Sequence, residues 1–246
     1  MSGHSKWHNI QGRKGKQDKA KSSLFTKCAK MITVAARSGG GDQIMNFSLR
    51  LAIDKAKAIN MPKDNIDRAV KKGTGELADG STYEEAVYEG FGPGGIAVLV
   101  EVLTDNKNRT LPEIKTMFAK HGGALGASGS VQWQFSHLGV IRIGDEQQKS
   151  HLIQQKSAIE LALIEAGVDD IIENEFGFEI RSVPTKFHAV LEALKPFAII
   201  PDDSGLEWVA KESVTVEETE KSEQMHALYE ALDDHDDVRG VYTNEQ

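Results

Sequence analysis

The amino-acid sequence predicts an α+β protein: a helical bundle at the N-terminus, then antiparallel sheets with helices packed against them. Three observations lead there. Apolar residues recur at helical spacing between Leu24 and Lys72. From Tyr83 onward, apolar runs of strand length come in pairs, each pair followed by one helical stretch. That second pattern fills about 160 residues, which is generous for one unit, so two are expected.

The elements follow in order. Residues 2–21 show no apolar periodicity, and Gly3, Gly12 and Gly15 sit among charges, so they read as an arm that is mobile until bound. A helix is expected from Ser22 or Ser23, with Leu24, Phe25, Cys28, Met31, Ile32 and Ala35 on one stripe and Gly39 as its stop. The "SGGGD" stretch is a turn. A second helix carries the stripe Leu49, Ala52, Ile53, Ala56 and Ile59, and a third runs from Pro62 to Lys72, before Gly73. "GTGELADGS" reads as a linker.

"YEEAVYEGF" and "GIAVLVEVL" then read as strands around a Gly-rich turn. A helix at about 110–121 is expected to open at Thr110, with Glu113 at capping-box spacing. "SVQWQFS" and "GVIRIG" read as strands, residues 150–166 as one helix, and "DIIENEFGFEIRSV" as a strand or hairpin. "PTKFHAVLEALKPF" is a Pro-started helix, "GLEWVAKESVTV" a strand, "EKSEQMHALYEALDDH" a helix and "VRGVYT" a closing strand.

Composition narrows the class. One cysteine, Cys28, allows no intrachain disulfide and fits a reducing compartment. The opening residues lack a signal-peptide apolar run, and no stretch is long enough to span a membrane, so a cytoplasmic protein is expected.

Charge is strongly uneven. Residues 1–72 hold 16 Lys or Arg and 5 Asp or Glu, a net of +11, against −8 for all 246 residues. The remainder, 73–246, is therefore −19. A basic block on an acidic body points to a polyanion partner. In the arm, Lys6, Arg13, Lys14, Lys16, Lys19 and Lys21 can each neutralise a phosphate, and Trp7 offers a stacking face. Lys27, Lys30 and Arg37 lie away from the first helix's apolar stripe and extend that positive surface. Asn65, Arg68 and Lys72 share one face of the third helix, and Asn and Arg are residue types that read bases in a major groove. Arg109, before a helix start, could help form an anion site, though turn and cap chemistry explains "LTDNKNRTLPE" better.

Chemistry is harder to find. His4 and His8 lack a nearby third ligand, and Cys28 sits in an apolar stripe. "DDHDD" at 233–237 lacks the Gly and terminal Glu of a calcium loop and reads as a solvated helix end. No nucleophile stands with a base. No catalytic residue, metal or cofactor is therefore expected. A metal-dependent nuclease using Asp233–Asp237 is the enzymatic alternative.

"GHSKWHNI" followed by "RKGKQDKAKSSLFTK" closely resembles the start of the YebC/PmpR family. The likeness continues through "NMPKDNIDRAVKKGTGE", "YEGFGPGGIAVLVEVLTDNKNRT", "GSVQWQF" and "LDDHDDVRGVYTN", so it covers the chain from end to end. One local departure is "GGALGASGS", where Ala124 and Ala127 replace residues that are polar in the family. The family includes probable bacterial transcriptional regulators and the mitochondrial translational activator of cytochrome oxidase subunit one. The resemblance implies three domains, the third inserted into the second: residues 1–80, residues 81–136 with 205–246, and residues 137–204. It also implies nucleic-acid binding and, for part of the family, ribosome binding that relieves stalling at proline-rich stretches. A monomer acting on ribosomal RNA or tRNA is the expected reading. A promoter-DNA regulator using the third helix is its alternative.

Overall fold

The structure, a computed structural model, describes residues 19–77 and 82–246, with the backbone alone over 19–21. It falls into two compact units. One comprises the chain up to Gln134 together with Ala210–Gln246, and the other is the inserted Phe135–Val209.

The first unit opens with α1 (Lys19–Gly39), α2 (Phe47–Ala58) and α3 (Lys63–Thr74). Here α1 begins before the expected Ser22, because Lys and Ala propagate a helix readily. The arm therefore gives up Lys19 and Lys21 to α1. The helices enclose one core of Cys28, Ile32 and Ala36 from α1, Leu49, Ala52, Ile53 and Ala56 from α2, and Ile66 and Ala69 from α3. Burial pushes the Cys28 thiol up from its ordinary value, leaving it an unreactive packing group.

Gly73 lies inside α3 rather than after it. A Cβ there would stand 2.4 Å from the Thr33 carbonyl oxygen and 2.5 Å from the Ala36 Cβ, so the glycine lets α3 approach α1 closely. The helix instead ends at Gly75, whose φ of 87° is the left-handed C-cap conformation.

The chain continues through β1 (Glu84–Phe91), β2 (Ala97–Thr104), α4 (Lys107–Lys120) and β3 (Ala124–Leu125). The turn between β1 and β2 uses Gly94 and Gly95 at φ 74° and 76°, a region most side chains avoid. The inserted unit holds β4 (Phe135–Ile143), α5 (Glu146–Gln154), α6 (Lys156–Ala166), β5 (Asp170–Asn174), β6 (Gly177–Ser182), α7 (Phe187–Ala193) and β7 (Asp203–Ala210). The first unit then closes with α8 (Thr219–Asp233) and β8 (Val238–Thr243).

Its sheet has the order β3-β1-β2-β8. Val98, Val100 and Val102 of β2 pack with Ile114 and Phe118 of α4 and with Met225, Leu228 and Leu232 of α8. The alternation along β2 thus sends one set of valines to the helices.

The inserted sheet has the order β5-β6-β4-β7. Antiparallel pairing sets Ile141 opposite Ile180 and Ile143 opposite Phe178. Gly139, two residues from Ile141, lies under Phe187, whose side chain would meet an added Cβ at 2.6 Å. On the other face Arg142 stands opposite Glu179. Its Nε donates to Glu179 at 3.0 Å, and its two terminal nitrogens donate to Glu207 of β7 at 3.0 and 2.9 Å. All three side chains are under 5% exposed.

The α+β class stands, with these further local corrections. The α4 helix is capped by Asn106, whose side chain accepts the Arg109 N–H, so Thr110 is an interior residue and not the cap. Residues 150–166 are two helices broken at Gln155. "SVQWQFS" gives a short 3-10 turn at Gln132–Gln134, and β4 then runs straight through "GVIRIG". The helix after Pro184 is only Phe187–Ala193, with a separate turn at Lys195–Phe197.

Candidate nucleic-acid interface

One side of α1 meets the segment that joins α8 to β8. Ser23 Oγ donates to Asp236 at 2.8 Å, and the Lys27 ammonium donates to the Asp233 carbonyl. Lys30 Nζ reaches Asp237 at 2.5 Å and the Asp236 carbonyl at 3.0 Å. From the other direction Arg109 reaches Asp237 at 2.6 Å, and Thr110 and Thr104 donate to the same oxygen at 2.7 and 3.0 Å. Asp237 is only 2% exposed. "DDHDD" is therefore no solvated helix end: its last residue is a buried hub clasping the helical bundle to the sheet. Lys27 and Lys30 were expected to extend an open basic surface, and Arg109 to serve a turn or an anion site at a helix start. Their charges are instead directed at this acidic segment, because a buried carboxylate needs cations and hydroxyls around it.

The same geometry sets the titration of Asp237. Burial alone would push its carboxyl up. Hydrogen bonds from Lys30, Arg109 and Thr110 overcome that and hold it far below its ordinary 3.8. The sign follows: the ionised form supports the fold, fully above the ordinary value, and that support is lost as pH falls through the depressed one. Asp237→Asn should cost about 1–3 kcal/mol at neutral pH. It should also flatten the acid limb of the stability curve below pH 4, read by urea denaturation across pH. An acid limb unchanged from wild type would refute the hub role.

Glu113, His235 and Asp237 bring three ligand-type atoms within 4.8 Å of one another. Asp237 is held by two cations and His235 lies 3.0 Å from Glu113, so the trio reads as part of the ion-pair network.

The other sequence candidates lie elsewhere. Lys6, Trp7, Arg13, Lys14 and Lys16 fall outside the described residues, as do the side chains of Lys19 and Lys21 in the first turn of α1. On α3, Arg68 is exposed, while Asn65 and Lys72 are half-buried. Asp64 and Asp67 are exposed on the same helix. Residues 19–77 carry 12 Lys or Arg against 5 Asp or Glu, so the bundle stays cationic even with Lys27 and Lys30 committed to the clasp.

Residues 5–76 match the family described as "TACO1/YebC protein N-terminal domain", and residues 83–245 match its "TACO1/YebC second and third domain". The chain belongs to the TACO1/YebC family. A "Probable transcriptional regulatory protein" of Syntrophus aciditrophicus is 48% identical over 99% of this chain and 95% of its own. One of the same name from Persephonella marina is 45% identical over the same shares. A solved structure, "Conserved Hypothetical Protein Aq1575 from Aquifex Aeolicus", superposes with a TM-score of 0.79 at 38% identity, covering 92% of this chain and 90% of that one. Among the described residues of this YebC-type chain, no helix is long and apolar enough to cross a membrane.

One organised feature of this family member gave no sequence signal. Glu89 of β1 is 4% exposed and accepts the N–H groups of Gly129, Val131 and Gln132 at 2.5, 2.8 and 2.8 Å. Burial pushes its carboxyl up, but the three backbone donors hold it below the ordinary value. The pinned loop leads to Trp133, which is 67% exposed. In "YEEAVYEGF" Glu89 looks like any outward strand residue, since its donors arrive 40 residues later.

Proposed function

We propose that this protein is a non-enzymatic, nucleic-acid-binding regulatory factor that acts on the ribosome. In this reading its basic N-terminal arm engages ribosomal RNA or tRNA and supports translation of proline-rich stretches. The observation that carries it is the charge split, +11 over residues 1–72 against −19 over the rest. Such a molecule presents its basic end to phosphates and turns its acidic body away. Arg68 and Lys72 of α3 extend the basic end beyond the arm.

The α3 surface favours RNA over a duplex major groove. Asp64 and Asp67 are exposed beside Arg68, and acids on a recognition helix would face phosphates on both walls of the groove. A Gly- and Lys-rich arm with one Trp suits irregular or single-stranded RNA. The names of the relatives favour a second reading, a DNA-binding transcriptional regulator using α3.

Sedimentation of a cell lysate separates the two. The protein should travel with ribosomes and stay there after DNase treatment. Release by DNase and not by RNase would establish the DNA reading instead.

A further inference from the structure

The loop between α1 and α2 exposes two large apolar side chains side by side. Ile44 and Met45 are each 82% exposed. The backbone beneath them is tightly held. Asp42 accepts the Ile44 N–H at 2.8 Å on its side chain and the Asn46 N–H at 2.8 Å on its carbonyl. The Asn46 amide donates to the carbonyls of Ala35 and Gly40, both at 2.8 Å, and its oxygen caps α2 at Leu49. Gly41 lies against Val70 and Thr74, so the loop is seated on the last turn of α3. Neither side chain supports the bundle core. A rigid, fully presented apolar pair is a surface the fold itself does not require.

The helix turns flanking the loop carry four cations, against the one exposed acid of the loop itself, Asp42. Arg37 lies in the last turn of α1, Lys71 and Lys72 in the last turn of α3, and Arg50 in the first turn of α2. An apolar tip between helix turns that carry cations matches one occupant chemistry well: phosphates for the cations and base faces for the tip. Side chains such as Ile and Met enter between bases by unstacking them, and the phosphate contacts offset that cost.

We propose that Ile44 and Met45 form a wedge that the basic bundle inserts between unpaired bases of the RNA it binds. This rests on the polyanion reading above. The cations draw the backbone in, and the wedge separates two neighbouring bases at a fixed position relative to α1 and α3.

The test uses single-stranded RNA carrying 2-aminopurine, which brightens when it unstacks, with the full-length protein and the double variant Ile44→Ser, Met45→Ser. Both side chains are exposed, so the variant should keep its helical circular dichroism and melting temperature. Wild type should raise the fluorescence. The variant should not, and should bind about tenfold more weakly with an unchanged salt slope, since no charge is removed. A variant that binds and brightens like wild type overturns the wedge while leaving the polyanion reading intact. A wild type with no affinity for RNA overturns both. If the variant binds naked RNA normally but no longer sediments with ribosomes, the occupant is a protein surface and the inference is wrong.

Discussion

Replacing Arg142 by Met should destabilise the inserted unit by about 3–5 kcal/mol, the cost of removing one side of a buried ion pair. The guanidinium is 3% exposed and satisfies both Glu179 and Glu207, each under 5% exposed. Burial pulls its pKa down, but Glu207, Glu179 and Asp203 more than compensate and raise it above the ordinary value, so the group stays charged. Removal takes both guanidinium donors from Glu207, while Glu179 keeps Arg181 at 2.6 Å. Hydrogen exchange should localise the loss to β4, β6 and β7, with α1–α3 unaffected. Adding Glu207→Gln should recover much of the stability, because a neutral amide is far less costly to bury than a carboxylate deprived of its cation. If the single variant melts within a degree or two of wild type, the guanidinium is not the element that holds these strands together.

Deleting residues 2–18 should lower RNA affinity about a hundredfold at low salt. The deletion removes Lys6, Arg13, Lys14, Lys16 and Trp7. Without those four cations on the phosphates, the plot of log affinity against log salt should flatten by up to about 3 units, at about 0.7 per neutralised phosphate on a single strand. Trp7→Ala alone should weaken binding by about 1–3 kcal/mol and leave the slope unchanged, as expected for stacking. The bundle core draws on α1–α3, so helix content should survive the deletion. Affinity within twofold of wild type would show that the arm does not touch phosphates.

The helices, the β1–β2 hairpin and the closing strand were legible because their signals are local. Stripes such as Leu49, Ala52, Ile53 and Ala56 recur within one element, and the glycines of the 92–95 turn declare themselves. Helix ends were read less well. Thr110 with Glu113 imitates a capping box, but Asn106 lies one turn earlier and captures the first N–H groups. The clasp was not legible, since Lys30 and Asp237 are 207 positions apart and each resembles an ordinary surface charge in its own segment. The same holds for Arg142, which reads as the polar member of an alternating strand until β6 and β7 surround it with carboxylates. The arm, outside the described residues, is read from charge alone, which points to a kind of partner and says nothing of where on it the arm would sit.

The clasp has a consequence for the chain while it is being made. At about 5–20 residues per second, Asp237 follows Lys30 by about 10–40 s, and β8 with its Val238 and Val241 arrives with it. Through that interval the acidic body accumulates behind the bundle, but the buried carboxylate that Lys30 and Arg109 share is still missing. Translation that stops before Asp233 therefore yields a fragment with the whole basic block and no clasp. The final fourteen residues supply every acceptor of the clasp and convert that fragment into the closed molecule.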